Sequence, residues 1–223
     1  MIVACVKWGT RYGDEWVLRL RSMVRHNLSI EHRFVCLTDR AVGGVECLPL
    51  ESGLPTWWAK ISLFRPGLFD DDVLYLDLDV VIRSNIDRIV HVARSDRTRL
   101  WMRDDFSYSL KSPRGGLDAS LRRMLGGVGC CNSSVMAWRG DAARDVWEKF
   151  SPEVMQELHG DQNHISRVMY PDKIGFLPED MIQSFKYHAR RGAGPAPITV
   201  FHGNPKMNDL HPSDELRQIW EAA

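Results

Sequence analysis

Apolar residues run unbroken from Met1 to Val6 and stop at Lys7. A run that short predicts a buried strand over "IVACVKW". The period then changes. In "DEWVLRLRSMVRHN" the apolar residues Trp16, Val17, Leu20, Met23 and Val24 fall at i, i+1, i+4, i+7 and i+8, one face of a helix, and Asp14 and Glu15 suit its positive N-terminal end. "RFVCLTD" and "GVECLPL" read as a second and third strand, and "WWAKISLF" as a short helix closed by Pro66-Gly67. "DVLYLDLDVVI" is the most apolar stretch and reads as a central strand. "NIDRIVHVA" predicts a helix, "TRLWMRD" and "VGCCNSSVMAW" strands, and "DAARDVWEKF" and "GDQNHISRVMY" helices. "KIGFLP" and "PITVFHGNP" lead to a terminal helix, "SDELRQIWEAA", with Ser213 as its cap and acids in its first turn.

Strands alternating with helices argue for an α/β fold around a mostly parallel sheet. With 223 residues, no internal repeat and no Pro/Ser linker, one domain is the economical reading. Residues 106–127 break the rhythm with four glycines, a proline and no clear strand. A long irregular stretch inside a compact domain is often functional.

Composition narrows the classes. Lys+Arg and Asp+Glu balance at 29 each, so the chain has no general pull on nucleic acid or an anionic membrane, and an anionic ligand would need a local device. The five cysteines, Cys5, Cys36, Cys47, Cys130 and Cys131, show no CxxC spacing and read as reduced core residues of a cytoplasmic protein. The apolar N-terminal run is too short for a signal-peptide core, and no segment reaches the length of a membrane span.

Within "VLYLDLDVVIRS" stand Asp77 and Asp79. Residues two apart share one face of a strand, and two unpaired carboxylates in a core are very costly. Either a divalent cation neutralises them, or the strand ends near Leu76 and leaves them at its carboxyl edge, where open α/β sheets bind ligands. The two readings are compatible, and carboxylates favour magnesium or manganese. The plainer alternative is a turn cap or a pairing with Arg83 or Arg103.

"LYLDLDVVI" resembles the DxD segment of nucleotide-sugar glycosyltransferases with the GT-A (Rossmann-like) fold. Further stretches agree in order: "CVKWGTRYGDEWVLRLRSMVRHN" resembles the first strand and helix that embrace the nucleotide base, and "CNSSVMAW" the Asn-Ala-Gly-Val-Met strand of glycosyltransferase family 8, the glycogenin-like and galactosyltransferase-like group. "GDQNHI" resembles its Asp-Gln element and "VFHGNPK" its C-terminal His-x-x-Gly-x-x-Lys-Pro motif. The likeness runs from about residue 2 to residue 207. It departs at Ser133-Ser134, where the family has Ala-Gly, at His202, which abuts Gly203, and at Met207 in place of the proline.

The resemblance implies a single GT-A-type domain. Residues 1–104 would form a nucleotide-binding half ending in the DxD region, and 105–223 a donor and acceptor half. Asp77, Asp79 and His202 would hold Mn2+ or Mg2+, with Asp77 also reaching the ribose. Lys206 and Lys60 would face the phosphates, and Gly203 would let the backbone approach. Lys7, Gly9, Thr10 and Tyr12 would contact the nucleotide, the Tyr12 ring against the base. Asn132, Ser133 and Asp161 would meet the donor sugar and Gln162 the reacting centre. Asp104 or Asp105 would orient sugar or acceptor. The implied activity is metal-dependent transfer, with retention, from a UDP-sugar to a carbohydrate, lipid-linked or protein hydroxyl. If configuration inverts, Asp104, Asp105 or Asp161 becomes the candidate base. Arg114, Arg122 and Arg123 would belong to an acceptor-side lid. Trp57 and Trp58 read as core or wall residues.

Two rival readings use the same letters. "DLDVV" also fits the D-x-D-x-[TV] of haloacid-dehalogenase-type phosphatases, with Asp77 as nucleophile, although that motif normally opens its domain and here 76 residues precede it. The other rival is a sugar-nucleotide-binding domain without turnover.

Overall fold

The computed structural model describes residues 1–106 and 131–223. Its core is a seven-stranded mixed sheet of order β3-β2-β1-β4-β7-β6-β8, formed by β1 (Ile2–Lys7), β2 (Arg33–Thr38), β3 (Glu46–Pro49), β4 (Asp72–Leu76), β6 (Leu100–Asp104), β7 (Cys131–Arg139) and β8 (Ile174–Phe176). All pairings are parallel except those of β7, which runs antiparallel to both β4 and β6. A small second sheet of order β5-β10-β9 joins β5 (Val80–Ile82), β10 (Ile198–Val200) and β9 (Ile182–Ser184). The sequence pattern did not disclose β9, which is only three residues long.

The main sheet is covered on both faces, which is why its strands read as continuous apolar runs rather than alternating ones. Val3, Cys5, Leu74, Leu76, Val135 and Ala137 pack on one side with α1 (Asp14–Asn27), through Trp16, Val17, Leu20, Met23 and Val24. Ile2, Ala4, Val73, Tyr75, Met136 and Trp138 pack on the other, against the 3₁₀ helix Thr56–Phe64 and Ile165 of a later helix. Residue parity along each strand selects the layer. The four described cysteines are free thiols, and Cys130 lies outside the described residues.

Several expected elements come out differently. "DVLYLDLDVVI" is two strands, because the chain leaves the large sheet after Leu76 and enters the small one at Val80. α2 (Asp87–Ala93) is as expected, but "DAARDVWEKF" resolves into a 3₁₀ turn, Gly140–Ala143, and a single turn α3 (Asp145–Glu148). α4 (Val154–Glu157) and α5 (Asp161–Met169) follow. The terminal helix α6 (Glu215–Ala222) is capped by Asp214, whose carboxylate accepts from the Leu216 N–H, and not by Ser213. Ser213 instead bonds His211. Apart from Phe106, the glycine-rich stretch with Arg114, Arg122 and Arg123 lies outside the described residues. Among those described, no helix is long and apolar enough to cross a membrane.

Candidate functional site

The break in the central strand makes the site. Asp77 still donates its N–H to Ser134 O at 2.9 Å, continuing the large sheet, while Asp79 O accepts from Phe201 N–H at 2.9 Å, beginning the small one. The two carboxylates therefore sit at the crossing between sheets, at the carboxyl end of β4. Both line a cleft of about 540 Å³. This is the edge where an open α/β sheet presents its strand ends to a ligand.

Lysines, not arginines, face the acids. Lys60 Nζ lies 2.9 Å from Asp77 Oδ1 and 3.4 Å from Asp161 Oδ2. Lys206 Nζ pairs with Asp79 and donates to Phe201 O at 2.6 Å. Arg83 and Arg103 go elsewhere, to Glu215 at 2.9 Å and Glu179 at 3.5 Å. Burial pushes the Asp79 carboxyl up and Asp77 adds to it, against the pull of Lys206 and Lys60. Burial would lower Lys60, but Asp161 and Asp77 outweigh it and hold the ammonium charged. Two tyrosines complete the shell. Tyr75 Oη donates to Asp77 Oδ1 at 2.5 Å and Tyr12 Oη to Asp79 Oδ2 at 3.3 Å. Burial, then the neighbouring carboxylate, pushes both phenols up, so they remain donors.

Beside the acids lies a buried polar patch. Ser133 Oγ donates to Asp161 Oδ2 at 2.6 Å and accepts from Lys60 Nζ at 3.2 Å. Asp161 is the first residue of α5, after the N-cap Gly160, and its carboxylate is spent on Ser133 and Lys60 rather than on a cap. Asn132 and Gln162 line the same cleft.

His202 also lines the cleft. Its ring stacks between Phe106 (centroids 5.6 Å apart) and Tyr187 (5.4 Å), and its Nε2 lies 2.7 Å from Ser184 Oγ. Burial, then the Lys186 charge, pushes the imidazole down, so it stays neutral near pH 7. Yet Asp77, Asp79 and His202 do not form a ready-made cluster: among the described residues no three His, Cys, Asp or Glu side chains are gathered closely enough to hold a metal.

Of the residues singled out from the sequence, Tyr12, Lys60, Asp77, Asp79, Asn132, Ser133, Asp161, Gln162, His202, Gly203 and Lys206 share this cleft. Gly203 has φ +75°, a conformation that favours glycine. Five others stand outside the lining. Lys7 is buried and turns its ammonium to Asp14 at 3.3 Å. Gly9, at φ +64°, gives its N–H to the Asp39 carboxylate at 3.1 Å, and Thr10 is exposed beside it. Asp104 ends β6 and Asp105 follows it, its N–H bonding Asp104 Oδ1 at 2.9 Å. Asp105 is nonetheless near enough to His202 to favour its charged form.

Sequence reasoning missed Tyr75, Trp8, Arg11, His159 and Asn163, all of which line the cleft, as does Trp57, read from the sequence as a core or wall residue. Tyr75 had a signal, since it precedes Asp77 by two and shares its strand face. The two tryptophans of "TWW" divide: Trp58 is buried, and Trp57 is 44% exposed at the cleft.

No protein-family model matches the chain, and no curated protein matches it. Solved structures do. The galactosyltransferase LgtC, crystallised with donor and acceptor sugar analogues, superposes with a TM-score of 0.71 at 14% identity, over 100% of this chain and 96% of that one. The glycosyltransferase GlyE of Streptococcus pneumoniae TIGR4 gives 0.64 at 17% identity, over 99% of this chain and 60% of its own. Mouse xyloside xylosyltransferase 1 gives 0.56 at 11% identity, over 91% and 98%. These matches do not favour the phosphatase reading. At such identities the likeness is one of architecture, and the chain has the fold of the GT-A-type glycosyltransferases.

Proposed function

We propose that this protein is a metal-dependent glycosyltransferase that moves a sugar from a nucleotide-sugar, a UDP-sugar in our reading, to a hydroxyl acceptor with retention. The observation that carries the proposal is the acid pair at the sheet crossing, open to a cleft and set beside a buried hydroxyl-binding patch. Lys60 and Lys206 answer the acids within the protein, and a dication between the acids and a diphosphate would offset the repulsion between them. Two carboxylates and a neutral imidazole, once drawn together, would make a donor set suited to Mn2+ or Mg2+. Asp77 and Asp79 would hold the ion, and His202 would join them. Such an ion supplies Lewis-acid stabilisation of the charge that develops on the departing diphosphate.

The chain's own residues do the rest. Lys206, paired with Asp79 at the acids' edge, would offer a point charge to the phosphates. Lys60 keeps Asp77 and Asp161 aligned. Asp161, Ser133 and Asn132 read donor-sugar hydroxyls, and Gln162 faces the reacting centre. Tyr12 flanks the acids on the side of α1, where the nucleotide would lie. LgtC carries donor and acceptor sugar analogues in a fold of the same kind, which supports a donor and an acceptor here.

Thermal unfolding with UDP, GDP and ADP, with and without Mn2+, tests the reading. Ligand bound only to the folded state stabilises it, by about 2.7 kcal/mol at one hundred times Kd. We expect a Mn2+-dependent rise in Tm with one nucleoside diphosphate, lost in Asp79→Ala. A Tm indifferent to every nucleotide would sink the proposal.

A further inference from the structure

Trp57 does not behave as a packing residue. The seven residues after it, Trp58 to Phe64, are all buried, whereas Trp57 is 44% exposed. Its predecessor Thr56 is the one described non-glycine residue with positive φ, at 54°. A β-branched side chain is strained there, and such strain is held where the surroundings over-determine the backbone, commonly at ligand sites. The indole is also seated from behind. Gly160 faces its Nε1 and Cδ1 so closely that an added Cβ would come within 3.2 and 3.3 Å. His159 stands alongside, ring centroids 6.0 Å apart.

Position in the cleft gives the indole a task. Ser133, Lys60 and Asp161 lie deep, at 3%, 9% and 5% exposure. They belong to the sugar that hangs from the diphosphate. Trp57 sits three residues before Lys60 and packs on the glycine before Asp161, so it stands over the same patch at the open rim. Gln162 and Asn163 amides line the wall beside it. An aromatic face next to amide donors and acceptors matches a pyranose, with its apolar C–H face and its ring of hydroxyls.

We infer that Trp57, with His159, is the platform on which a carbohydrate acceptor stacks, so that the acceptor is a glycoside and not a lipid or peptide alcohol. This rests on the glycosyl-transfer reading above and adds to it the chemical class of the acceptor.

The test uses the full chain labelled with 5-fluorotryptophan, the Trp57 resonance being assigned by its loss in Trp57→Phe. Methyl glycosides of glucose, galactose, mannose and N-acetylglucosamine are titrated with and without UDP and Mn2+, and n-hexanol serves as the apolar control. We expect at least one glycoside to move the Trp57 resonance saturably while hexanol does not. Trp57→Ala should weaken that glycoside at least tenfold, and leave the UDP–Mn2+ rise in Tm in place. A resonance unmoved by every glycoside, or moved by hexanol alone, overturns the inference, as does undiminished binding in Trp57→Ala. Failure of the nucleotide response would instead count against the transfer reading, and the glycoside titration would still decide the role of Trp57.

Discussion

Asp77 and Asp79 show how much a two-residue spacing can carry. They share a cleft but not a partner: Lys60 and Tyr75 hold the first, Lys206 and Tyr12 the second. The pairing keeps two close carboxylates tolerable. At the other end of the same strand Asp72 has a purely structural task. Its carboxylate accepts from Arg94 Nε at 2.8 Å and Arg139 Nη1 at 3.0 Å. Burial alone would raise its pKa, but the two guanidiniums overcome that and hold it below the usual carboxylate range. A depressed carboxyl contributes stability that is present above its unfolded value, about 3.9, and is lost as pH falls through the folded one. Asp72→Asn should therefore cost about 2 kcal/mol at pH 7. The gap between variant and parent should close as pH drops below about 4. Urea titrations at several pH values would show it, and a gap independent of pH would refute the account.

Elements come next. The longest apolar run, "DVLYLDLDVVI", has the composition of one strand, but its middle changes sheets because Asp77 and Asp79 cannot be buried inside a ladder covered on both faces. The alternation itself marked the break, since from Val73 to Ile82 the run is apolar except at Asp77 and Asp79. The ends of α6 were harder to read. Ser213 and Asp214 are adjacent and both are good caps, and pattern alone does not choose between them. The structure chooses Asp214, with its carboxylate 2.9 Å from the Leu216 N–H. Asp214→Ala should then destabilise by about 1 kcal/mol and Ser213→Ala by less than about 0.5 kcal/mol. Equal losses by chemical denaturation would return the cap to Ser213.

For the whole molecule, the decisive element is β7. It comes from the second half of the chain, yet it lies between β4 and β6 of the first and pairs with both. Residue 104 therefore does not divide the chain into separate folding units. A fragment of residues 1–104 would leave β4 and β6 without the strand that joins them, with the hydrogen-bonding edges that face β7 open to water. It should give no cooperative thermal transition by circular dichroism, and a sharp sigmoidal melt would contradict this. The cleft likewise draws on both halves of the chain, its lining running from Val6 to Lys206 among the described residues.

The sequence by itself determined the alternation of strands and helices, the two-faced apolar sheet and the acid pair. All of these follow from local periodicity, which chemistry fixes over a few residues. It also marked half of the cleft lining, mostly through the resemblance of short segments. Tertiary structure alone decided which cations answer the acids, because Lys60 and Lys206 are brought to them from 17 and 127 residues away. It alone turned Trp57 outward and Trp58 inward, sent Gly9 to Asp39, and placed the imidazole of His202 on Ser184. Such contacts depend on where distant segments meet, and a periodic pattern along one segment holds no record of that.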